Sequence, residues 1–252
     1  MELPQLDSHK KSGARVEQPS DSGWRLSIPA GAAGEYRLAQ LDDYHGLQRS
    51  AFPWRPDVTL SLSARASSND LPGTWGFGLW NDPFGAGLTY GGTRMLPALP
   101  QAAWFFFASE HNYLSFRDDK PAHGALAAVF RSPGVPVWPF LPLAVTAPLL
   151  LVRPLSRLAR RLASAMIAED SADLNLDVTA WHTYQVDWKA DGVRFSVDER
   201  DVFFTSVSPQ APLGLVLWVD NQFAAWKPDG SLRYSILGNP AAWIEIKGLE
   251  IG

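Results

Sequence analysis

Residues 181–205, WHTYQVDWKADGVRFSVDERDVFFT, decide the fold. They read as two strands joined by a tight turn at Asp191-Gly192, because an Asp-Gly pair tolerates the backbone angles of a short hairpin. Working outward, the same strand-and-turn style recurs on both sides. Upstream, VTLSLSARA (58–66) alternates strictly, with Val58, Leu60, Leu62 and Ala64 on one face and Thr59, Ser61, Ser63 and Arg65 on the other. That is the pattern of a half-buried strand. SSNDLPG (67–73) supplies a turn, and TWGFGLWNDPF (74–84) returns with Gly76 and Gly78 opposite Trp75, Phe77 and Leu79. A glycine inside a strand marks close approach by a ligand, another backbone or a bulky neighbour.

AAWFFFASEHNYLSFRDD (102–119) reads as a long strand or a hairpin turning at His111-Asn112. The style then breaks. From Ser132 to Val152 no residue in a run of 21 is charged. In the following RPLSRLARRLASAMIAED, Leu155, Leu158, Leu162 and Met166 recur at helical spacing among Arg157, Arg160 and Arg161. Downstream, LGLVLWVD (213–220) and AAWIEIKGLEI (241–251) are strands again, and no internal repeat is present. The expected organisation is a mobile polar tail over 1–22 and one β-sandwich over 23–252, decorated by a helical, apolar insertion at about 132–172.

Composition narrows the function. Of 252 residues 46% are apolar and 19% charged, enough for a sizeable core. The net charge of -4 provides no basic field for a polyanion, so nucleic acid is not an expected partner. Without cysteine there is neither a disulfide framework nor a thiolate metal site. The polar start has no apolar signal core, so as written the chain reads as cytoplasmic, or extracytoplasmic if a signal has been removed. Eleven tryptophans suit a packed core and equally suit stacking on flat or sugar-like ligands.

The segments GTWGFGLWND (73–82), WHTYQVDWKADGVRFSVD (181–198), APLGLVLWVDN (211–221) and WIEIKGLEI (243–251) occur in a telling order. In that order the chain resembles family-16 glycoside hydrolases, the laminarinases and lichenases, and more broadly the concanavalin A-like lectin/glucanase sandwiches. The resemblance covers residues 24–252 apart from the insertion. It implies an all-β antiparallel sandwich of jelly-roll type, a cleft on a concave sheet, and a strand on which a nucleophile, a helper acid and an acid/base alternate. Alternate strand positions share a face, which sets two carboxyl groups about 5–5.5 Å apart across the glycosidic bond. Here that strand carries Trp104, Phe106, Ala108 and Glu110 on the face in question. Only Glu110, at the strand end, is acidic, so the retaining carboxylate pair is expected to be missing.

Two functional expectations follow. The first is a carbohydrate-binding, lectin-like or diverged hydrolase-like protein. Trp75, Trp80, Trp104 and Trp218 would stack on sugar, while Asn81, Asp220 and Asn221 read hydroxyls. The alternative is a dry pocket for an apolar small molecule or lipid, walled by the aromatic strand with Phe106 and covered by the insertion, since charges are costly in such a place. Glu110 and Asp220 are the candidate acid/base groups, whereas Asp82 and Asp187 read as turn-forming or solvated. The five histidines show no ligand spacing, so no metal and no cofactor are expected. A structural Ca²⁺ is compatible with this class, but no Asp-rich loop demands one. The uncharged run is long enough to span a bilayer. However, Pro133, Pro136, Pro139, Pro142 and Pro148 break a straight helix, so a lid is the first reading. A membrane-surface contact through 133–167 is the next.

Overall fold

The computed structural model describes residues 5–20, 23–83, 98–133 and 152–252. Two seven-stranded antiparallel sheets form a sandwich. In spatial order the first sheet contains β1 (Asp7–Lys11), β4 (Leu38–Asp42), β13 (Gly214–Asp220), β6 (Thr74–Trp80), β7 (Ala102–Ala108), β8 (Gly124–Arg131) and β9 (Ala168–Asp173). The second contains β12 (Arg200–Thr205), β11 (Gly192–Val197), β10 (His182–Lys189), β5 (Val58–Ala66), β16 (Ala242–Ile251), β3 (Gly23–Ile28) and β2 (Arg15–Ser20). A two-stranded ribbon, β14 (Gln222–Trp226) with β15 (Leu232–Ile236), stands apart and supports the helix α1 (Arg153–Met166).

The core between the sheets is built by alternation. Leu60, Leu62 and Ala64 of β5 and Tyr184, Val186 and Trp188 of β10 point inward, towards Phe77 and Phe105 of the first sheet. Ring contacts of 4.9–5.0 Å tie Tyr184 to Phe105 and Phe77 across the interface. The β10–β11 hairpin forms as expected, but its turn residues are Ala190 and Asp191, with Gly192 already paired to Lys189. Gly192 has a different task. A Cβ there would lie 2.7 Å from the Thr205 carbonyl oxygen, so the glycine lets β12 pass close by.

The structure corrects two expected boundaries. Residues 5–20, expected as tail, contribute β1 to one sheet and β2 to the other, each as an edge strand. Both are polar because edge strands face water and carry charges that block further pairing, so their sequence resembles a tail. The helical insertion does not reach 172: α1 ends at Met166, and AEDSAD forms β9, the far edge of the first sheet. Its buried Glu169 and Ser171 hide the apolar alternation that would announce a strand. Of the uncharged run 132–152 expected as a lid, residues 134–151 lie outside the described residues.

Candidate functional site

The candidate site is the outer face of the first sheet, opposite the sandwich core. Period-two alternation assigns it Thr74, Gly76, Gly78 and Trp80 from β6, and Ala102, Trp104, Phe106 and Ala108 from β7. From β13 it takes Val216, Trp218 and Asp220. The register lines up Trp218, Gly76 and Phe106, and beside them Asp220, Thr74 and Ala108. The rings gather into one floor: Trp218 is 5.3 Å from Phe106, 5.6 Å from Trp104 and 6.5 Å from Trp80 between ring centres. Phe130 of β8 closes against Trp104 at 6.2 Å. Trp80, Phe106, Phe130 and Trp218 are each less than a tenth exposed, while Trp104 is half-buried.

The two strand glycines make this floor possible. A Cβ on Gly76 would lie 2.8 Å from the Trp218 ring, and one on Gly78 would lie 2.4 Å from the Trp104 Cβ. Both close approach of the β7 backbone and room for bulky side chains, two of the readings open from sequence, are therefore what these positions provide.

At one end of the floor sits Asp220, 2% exposed. Its Oδ1 accepts from Thr74 Oγ1 at 2.9 Å and from the backbone N–H groups of Thr74 and Gln222. Tyr36 donates to Oδ2 at 3.2 Å, and Trp218 Nε1 donates to Thr74 Oγ1 at 3.0 Å. Burial pushes the Asp220 carboxyl up to about 7, against the pull of these hydrogen bonds. The same burial, reinforced by the Asp220 charge, raises the Tyr36 hydroxyl.

At the opposite edge, Gln40 Nε2 donates to Asp42 Oδ2 at 2.9 Å. His9 Nε2 lies 3.0 Å from the same oxygen but is not aligned for a hydrogen bond. Asp42 Oδ1, Trp104 Nε1 and Ser171 Oγ are buried and have no hydrogen-bond partner among the described residues. All three belong to one register row that runs from Asp42 through Val216, Gly78, Trp104 and Ala128 to Ser171. A buried polar atom without a partner costs about 1–3 kcal/mol, and Tyr184 Oη in the sandwich core is in the same position.

Several expected site residues stand elsewhere. Trp75 faces the sandwich core, 3% exposed and stacked on Phe107 at 3.6 Å, because it is odd in the register where Trp80 is even. Asn81 braces a loop: its Nδ2 donates to the Leu99 carbonyl and its Oδ1 accepts from Gln101 N. Asn221 is fully buried, accepting from Arg37 N and donating to the carbonyls of Glu35 and Leu237. Glu110 is exposed in the turn after β7, which ends at Ala108, and no hydrogen bond joins it to Asp220. Sequence reasoning missed Tyr36, Gln40, Thr74 and Phe130. It missed His9 because its strand was read as tail. Among the described residues no group of three or more His, Cys, Asp or Glu is placed to hold a metal ion. A cavity of about 1220 Å³ opens between α1 and the β8–β9 edge, lined by Arg117, Arg131, Arg161, Glu169 and Gln210 among others.

No protein-family model matches the chain, and no curated protein matches it. Solved structures match at low identity. A family-16 endo-glucanase from Bacteroides ovatus, in complex with G4G3G-2F-DNP, is 10% identical, covering 98% of this chain and 94% of that one at TM-score 0.50. A glycoside hydrolase family protein from Mycobacterium thermorestibile is 13% identical over 94% of this chain and 79% of its own, also at 0.50. A native glycosidic hydrolase is 12% identical over 97% and 88%, at 0.51. The fold is the concanavalin A-like sandwich that such hydrolases share.

Proposed function

We propose that the protein binds a carbohydrate on the outer face of its first sheet without cleaving it by the two-carboxylate route. One observation carries the reading: β7 offers Trp104, Phe106 and Ala108 on that face, where the resemblance calls for acids. Retaining hydrolysis needs two carboxyl groups about 5–5.5 Å apart. Asp220, two strands away from β7, is held by Thr74, Gln222 and Tyr36. Indole and phenyl rings suit the C–H faces of a pyranose. Trp104, half-buried where the other rings are buried, is the ring such a ligand reaches.

A second reading is favoured by the burial of the rings. With Trp80, Phe106, Phe130 and Trp218 each under a tenth exposed, the face also suits an apolar small molecule. Calorimetry with mixed-linkage glucan oligosaccharides, paired with a reducing-end assay, separates the two readings. The first expects saturable binding without new reducing ends, lost in Trp104→Ala, a variant that melts lower because Trp104 packs on Trp80, Phe106, Phe130 and Trp218 but keeps the parent circular dichroism. Release of reducing ends removes the non-hydrolytic claim. Indifference to glucans together with a co-purifying apolar molecule in native mass spectrometry establishes the second reading instead.

A further inference from the structure

We infer that α1 is a docking element for an anionic lipid surface. The helix is mounted the reverse of the usual way. It is held to the domain through a polar face, where Arg160 Nε donates to the Trp226 carbonyl at 2.9 Å and Nη2 to the Ser115 carbonyl at 3.0 Å. Trp226 Nε1 donates to Ser156 Oγ at 2.9 Å, and Arg160 Nη1 reaches Asp118 at 2.6 Å. Ser156 and Arg160 are the buried residues of the helix. Leu155, Leu158 and Leu162, by contrast, are 42%, 54% and 59% exposed. At 100° per residue these three leucines fall on one stripe.

Charge selects the occupant. The helix RPLSRLARRLASAM has no acidic residue, and at 100° per residue Arg161 lies beside the leucine stripe, while Arg157 is further round, where its Nη2 donates to the Asp229 carbonyl at 3.2 Å. An apolar stripe bordered on one side by cations, lying along the surface rather than through it, fits the boundary between anionic headgroups and acyl chains. A second copy of the helix would bring like charges together. The supporting ribbon exposes Leu232 and Tyr234 as well, and its turn sets Asp229 against Arg157. Among the described residues no helix is long and apolar enough to cross a membrane, which agrees with a helix lying on the surface.

The test is flotation of the full chain with unilamellar vesicles of phosphatidylglycerol and phosphatidylcholine, against vesicles of phosphatidylcholine alone. The expected result is flotation with the anionic vesicles that weakens as salt is raised. Leu158→Ser with Leu162→Ser should lower the partition about tenfold or more, since each leucine loses its transfer into the acyl boundary. Arg157→Glu with Arg161→Glu should abolish the preference for anionic lipid. These side chains are exposed, so the variants should keep the parent melting temperature. The inference is overturned by absence from both vesicle fractions or by flotation unchanged in the leucine variant. It is equally overturned by a concentration-dependent dimer that the leucine variant dissolves.

Discussion

Asp220 is a carboxylic acid held where its charged form is disfavoured. Its pKa in the folded state stands at about 7, above the ordinary carboxylate value near 3.8. Between those values the folded state binds more protons than the unfolded one, so this residue makes stability fall as pH rises from about 4 to 7. Asp43, pushed up to about 6 by burial, contributes in the same direction over a narrower window. Asp220→Asn should flatten that slope and leave the protein more stable than the parent at pH 8, by roughly 1–3 kcal/mol after allowance for imperfect amide geometry. Urea titrations of both proteins at pH 5 and pH 8 check it, and parallel curves would show that Asp220 is not the source. Gly76 yields a second prediction at this scale. A Cβ there would lie 2.4 Å from the Phe105 carbonyl oxygen as well as against the Trp218 ring, so Gly76→Ala should cost about 1–3 kcal/mol. Thermal unfolding reads that loss directly. Residue types at such positions are visible in the sequence, yet their reasons are not, because Trp218 arrives from β13, far along the chain.

Among the elements, α1 and β7 show how a correct periodicity can leave direction open. The helical spacing of Leu155, Leu158 and Leu162 is borne out, but the stripe faces outward and Arg160 faces in. Arg160 is the anchor because the Trp226 and Ser115 carbonyls have their bonds to it. Arg160→Met should therefore leave these acceptors short and cost about 2–4 kcal/mol, concentrated in the helix. Hydrogen exchange should accelerate across 153–166 and not across β5 and β10; equal acceleration everywhere would make the anchor global instead of local. In β7 the alternation of Trp104, Phe106 and Ala108 against Phe105 and Phe107 was legible. Which set meets the core was not legible from composition, since nearly every residue of β6 and β7 is buried on both faces.

For the whole molecule, the N-terminal strands close the sandwich. β1 covers the edge of β4 in one sheet, and β2 covers the edge of β3 in the other. Deleting residues 1–20 should expose both edges at once and uncover buried Asp42, giving a protein that self-associates through β3 and β4. Light scattering after size-exclusion chromatography reads the result, and a monomer of parent stability would mean that the two strands are dispensable. The sequence by itself determined the alternating strands of the sandwich and their order along the chain, because strand alternation and turn chemistry are local properties, whereas the place where an acid pair was looked for came from the resemblance. Only the tertiary structure decided that Trp75 belongs to the core, that Asn81 and Asn221 brace loops, and that residues 7–20 pair into both sheets. The physical reason is the same in each case. A side chain's role there depends on partners far away in sequence, and neither a doubly buried strand nor a polar edge strand carries an alternation that reveals them.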